Sequence, residues 1–148
     1  MESQNDGQSV NHALSLGHCI ASLAMVLLGT VIYVFFRRDI LFVEVFIDKH
    51  TGLFSAWSIA HADNPLVHFG VYCLPDALWY AGLLVIQYPL SLQGPLNRLL
   101  YFACVAMPFA IELAQAIHWM PGTFDIADII TYILTFIFIT ICLKQKLL

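Results

Sequence analysis

The chain has 148 residues, of which 60% are apolar and only 11% charged, and its mean hydropathy is +0.81. A water-soluble domain is nearer a quarter charged, so this composition excludes an ordinary soluble fold and points to an integral membrane protein. The net charge of −4 with no basic patch gives no reason to expect nucleic acid as a partner.

The first 12 residues, MESQNDGQSVNH, form a polar tail without the basic start of a signal peptide. The apolar run from Ala13 to Phe36 then ends in Arg37-Arg38 with no small-residue cleavage pattern, and reads as a retained span. Three further windows are long enough to cross about 30 Å of hydrocarbon: Leu74 to Leu92, Leu99 to Trp119 and Phe124 to Leu143. All four are expected to be helices, because an isolated strand leaves its backbone groups unpaired in lipid. The predicted fold is an all-α, four-helix transmembrane domain over residues 13–143, closed by a short basic tail at 144–148.

Prolines punctuate this layout. Gly94-Pro95 and Pro121-Gly122 separate the later spans, Pro75 suits a first helical turn, and Pro108 is expected to kink the third span. Residues 39–73 are apolar but interrupted by Asp39, Glu44, Asp48, Lys49 and His50, and are expected to form an interfacial or re-entrant segment. The Lys and Arg residues divide three against three between the two sides, so the positive-inside rule ties. Lys144 and Lys146 follow the last span, whereas the link before it has no Lys or Arg, which favours cytoplasmic termini.

Polar residues recur at helical spacing. Asp76, Tyr80 and Gln87 share a face of the second span, Glu112 and Gln115 a face of the third, and Asp125, Asp128, Thr131, Tyr132 and Thr135 a stripe on the fourth. A carboxylate at mid-membrane costs about 2.5–3.5 kcal/mol, so such acids are expected to be partnered or to face a cavity. Asp125 and Asp76 suit helix starts, where an acid caps free N–H groups. Glu112 and Asp128 lie deeper, and capping does not explain them. Arg37 and Arg38 are the cations expected to pair with this acid group. The residues Trp57, Trp79 and Trp119 are expected in the interfacial aromatic belt, and His18, inside the first span, has no evident role.

E-x-x-Q in "IELAQ", a link with "PGTFD", and D-x-x-D in "DIAD" opening the last span together resemble the VanZ-like family of small bacterial membrane proteins. Glu112, Gln115, Asp125 and Asp128 match that pattern, and "LPDALW" and "YVFFRRD" also look like such proteins. The family's link Arg is replaced here by Gly122-Thr123. The resemblance implies a multi-pass protein of the bacterial inner membrane and cell envelope, similar in name to a determinant of resistance to lipid-bearing glycopeptide antibiotics.

Two functional classes follow, with a third behind them. One is a non-enzymatic protein in which Glu112, Gln115, Asp125, Asp128, Arg37, Arg38, Asp76, Tyr80 and Tyr132 build a polar site between the spans. Its partners would be membrane lipids, a lipid-linked envelope intermediate, an amphiphile or another membrane protein, with an oligomer open and no cofactor implied. The other is an intramembrane enzyme using the carboxylates as acid and base or as ligands of a divalent cation. No H-E-x-x-H, G-x-S-x-G or P-loop motif accompanies them. A proton-coupled transporter would need oligomers, and the chain has no inverted repeat.

Overall fold

A computed structural model describes residues 14–36, 66 and 69–145. Its helices are α1 (Leu16–Phe36), α2 (Leu74–Ser91), α3 (Pro95–Ala116) and α4 (Ile126–Gln145), and there is no strand among the described residues. Each is long and apolar enough to cross a bilayer, the second in continuity with a π-helical turn, Phe69–Cys73. The chain has the build of a multi-pass membrane protein.

The observed bounds correct the sequence expectation at several ends. The second span begins at Phe69, so part of the segment assigned to the interface belongs to it. Residues 39–65 of that segment, with Trp57, lie outside the described residues, as do Arg37 and Arg38. The third span starts at Pro95, whose missing N–H costs nothing in a first turn, and stops at Ala116. It runs continuously through Pro108, as α2 does through Pro89.

His18 gains an account at the start of α1. Ser15 Oγ accepts from the His18 N–H at 3.3 Å, and His18 Nδ1 accepts from the Ser15 N–H at 3.2 Å. This is the reciprocal geometry of a capping box, with histidine in the place usually held by Glu or Gln.

α2 is the central post: half of its spanning window is buried, against 11% for α1. α1 runs antiparallel to it, with Ser22 beside Gly82 and Gly29 beside Pro75. α3 and α4 pack on α2 and on each other around Tyr80, Leu84, Val85, Tyr101, Tyr132 and Ile139. The Leu, Ile and Phe side chains of the other faces, such as Leu23, Leu27, Phe102, Leu134 and Phe138, are exposed, as hydrocarbon-facing residues should be. Two consequences position the site. The end of α1, the start of α2 and the α3–α4 link share one end of the bundle. And α1, packed on α2, makes no substantial contact with α3 or α4 among the described residues.

Candidate functional site

The link between α3 and α4 is held by the polar residues around it. α3 closes with the Trp119 N–H donating to Ala114 O at 2.8 Å and the His118 N–H to Gln115 O at 3.0 Å. This is a Schellman ending, with His118 at φ 56° in the left-handed position that glycine usually fills. Gln115 Nε2 donates to Pro121 O at 3.4 Å, and Gly122 lies against the same amide at φ 126°. A Cβ at Gly122 would collide with the Gln115 side chain.

Asp125 then starts α4. Its Oδ1 accepts from the Ala127 N–H at 2.8 Å, which is N-capping, and its own N–H donates to Glu112 Oε2 at 3.2 Å. In an ordinary capping box the side chain three residues into the helix reaches back to the N-cap N–H. Here Glu112 of α3 takes that N–H, which leaves Asp128, at the third position of α4, to face elsewhere. Asp128 and Thr131 are electrostatic neighbours of Cys73 in the π turn. Asp128 is therefore in the first turn of α4, where an acid complements the helix dipole, and the expectation that it lies too deep for this is corrected.

Tyr80 and Tyr132 form the floor. The Tyr80 hydroxyl donates to Val105 O at 3.2 Å, and its ring meets that of Tyr132 edge-on at 5.5 Å. Tyr132 meets Phe109 in the same way at 5.9 Å. Both tyrosine rings are buried and Phe109 is partly buried against them, so three helices are joined where the polar stripes begin to give way to apolar packing.

α1 supplies a wall through contacts that the polar stripes did not reveal. Ser22 Oγ donates to Gly82 O at 2.8 Å, and Trp79 Nε1 donates to Val26 O and Thr30 Oγ1, each at 3.2 Å. Gly29 permits the approach, since a Cβ there would come within 2.9 Å of both Pro75 O and Trp79. Small residues and short polar side chains between helices are the usual means of close approach in a bilayer. Ser22, Gly29 and Gly82 were the available sequence signal. Trp79 thus also joins α1 to α2, whereas Trp119 is exposed at the link.

Between α1 on one side and α3 and α4 on the other lies a cavity of about 1030 Å³ over α2. That is at the upper end of the ~300–1,000 Å³ typical of ligand sites. Seven of the nine residues singled out from sequence line it: Asp76, Tyr80, Glu112, Gln115, Asp125, Asp128 and Tyr132. The remaining pair, Arg37 and Arg38, lie outside the described residues. Gln87 and Thr135 are half-buried and do not line it. Asp76, Asp125 and Asp128 are electrostatic neighbours of Glu112, which is only 5% exposed. Among the described residues no three His, Cys, Asp or Glu side chains are grouped to hold one metal ion.

The cavity is amphipathic along its length. From Asp76 to Ile86 on α2 it extends ten residues, or about 15 Å at the rise of a helix. Leu83, Ile86, Met107 and Ile111 line its inner part, and the acids line the end near the link. No protein-family model, curated protein or solved structure matches this chain.

Proposed function

We propose that the chain is a VanZ-like, non-enzymatic protein of the bacterial inner membrane that binds an envelope amphiphile in the cavity between α1 and α3/α4. The observation that carries this reading is the cavity's two-part lining: acids and Gln115 at the link end, aliphatic side chains along the following 15 Å or so. A single-chain lipid or a lipid-linked headgroup has that shape and polarity. The use made of the acids supports binding over chemistry. Asp125 caps α4 and Glu112 holds the Asp125 N–H, so both serve to shape the site. With cytoplasmic termini, favoured by Lys144 and Lys146 after α4, the acidic end faces the outer side of the membrane.

The test is photolabelling of the purified chain in maltoside micelles with an uncharged diazirine-bearing monoacylglycerol. Attachment is expected at cavity residues such as Leu83 and Ile111, in preference to the outward Leu23 and Leu27 of α1. Even labelling over all apolar faces would overturn the reading.

A further inference from the structure

The link end of the cavity is richer in hydrogen-bond acceptors than in donors. Glu112 is only 5% exposed, and the Asp125 N–H donates to its Oε2. A carboxylate offers about four lone-pair sites over its two oxygens, so one N–H leaves acceptor capacity on a side chain that lines the cavity. Gln115 adds to it, because its described bond is made through Nε2 and its carbonyl oxygen is an acceptor. The donors beside them are committed within the protein: Gln115 Nε2 to Pro121 O, the Asp125 N–H to Glu112, and Trp79 Nε1 to Val26 O and Thr30 Oγ1. The surplus concerns lone pairs and does not depend on the net charge around them. The α1 side of the same end is aromatic. Tyr33 and Trp79 both line the cavity with ring centroids 5.0 Å apart, and the two bonds from Nε1 fix the indole in place.

Resting on the amphiphile reading above, we infer that the cavity selects single-chain amphiphiles with a sugar head, seating the hydroxyls of the ring against Glu112 and Gln115, its C–H face against Tyr33 and Trp79, and the alkyl chain toward Leu83 and Ile86. Hydroxyls supply the donors this end lacks, and O–H to carboxylate is among the stronger hydrogen bonds. They come several to a ring, as the acceptors come several to the wall: Glu112 and Gln115 are three residues apart on α3, or about 4.5 Å along its axis. A head with its donors at one point, such as a lone hydroxyl or an ammonium, does not span both. The C–H face of a sugar is apolar and packs on flat rings, which the aromatic side of the cavity provides.

The experiment is competition against the uncharged diazirine monoacylglycerol on the full chain, exchanged from maltoside into a polyoxyethylene alkyl ether that carries no sugar. Dodecyl glucoside, dodecanol and dodecylamine are the competitors, and labelling of outward α1 residues is read in parallel as the control for micelle effects. Dodecyl glucoside is expected to displace the cavity label at about one tenth the concentration of either other compound, the size of one charge-assisted hydrogen bond. Maltoside shares the sugar head, so the cavity label should also be stronger in the ether than in maltoside. Glu112→Gln leaves a neutral amide at this acceptor and is expected to reduce the advantage to about threefold, since neutral hydrogen bonds are about half as strong. Tyr33→Leu should lower it, and Tyr33→Phe, which keeps the ring, should not. Equal displacement by the three compounds, or dodecylamine ahead of the glucoside, would overturn the sugar head and leave amphiphile binding standing. Absence of cavity labelling in the ether would overturn both. The wild-type comparison decides the head group even where a variant fails to fold, and a glucoside advantage unchanged in folded Glu112→Gln and Tyr33→Leu would overturn the seating of the sugar between them.

Discussion

The Asp125 N–H donates to Glu112 Oε2 across 3.2 Å, so an acid near the end of α3 completes the N-terminal cap of α4. The two helices are locked at their junction by a bond between residues thirteen apart in sequence. Glu112→Gln keeps a carbonyl oxygen for this bond and removes a buried charge, so its thermal midpoint should equal or exceed that of the wild type. Glu112→Ala leaves the N–H without its acceptor and should destabilise by about 1–3 kcal/mol. Differential scanning fluorimetry in one detergent checks both, and equal loss in the two variants would show that the charge, rather than the bond, holds the junction.

Gly122 sits at φ 126° against the Gln115 amide. Gly122→Ala should cost about 1–3 kcal/mol, from strained backbone and from collision. Adding Gln115→Ala removes the collision and keeps the strain, so the double variant should recover part of the loss. Strict additivity in thermal unfolding would contradict the contact.

His118 holds a left-handed conformation in the ending of α3. Glycine carries no Cβ penalty there, and His118→Gly is expected to stabilise by about 1 kcal/mol. A drop in the thermal midpoint would mean that the imidazole makes contacts that outweigh the strain.

Gly29 lets α1 approach Trp79. Gly29→Val should separate α1 from α2, break the Trp79 Nε1 bonds to Val26 and Thr30, and shift tryptophan emission. Ser22→Ala removes one interhelical bond, worth about 0.6 kcal/mol in a bilayer, and should leave the emission unchanged. A Gly29→Val protein with wild-type emission would refute the seam.

The proposed orientation has its own readout. Trp119 is 81% exposed at the link, so a Trp119→Cys variant should react with a membrane-impermeant maleimide added outside intact cells. Reaction only after lysis would place the acidic end in the cytoplasm.

What the sequence determined by itself is the number and nature of the spans. Four apolar windows of sufficient length, broken at Gly94-Pro95 and Pro121-Gly122, admit only helices in a bilayer, because each helix satisfies its own backbone. The periodicity of Asp76, Glu112 and Asp128 also marked the faces that would meet, since residues three and four apart lie on one side of a helix. The tertiary structure decided what those residues do. Whether an acid caps its own helix or another's depends on which N–H lies in reach, and Glu112 and Asp125 meet only because α3 turns back through the Gly122 link. The cavity depends equally on distance: α1 is drawn to α2 at Ser22, Gly29 and Gly82 and away from α3 and α4. Those three small residues permit a close approach, but which helix they meet is decided only by the packing. Spacing along one helix is written in the chain, whereas the approach between helices is set by side chains interlocking across them.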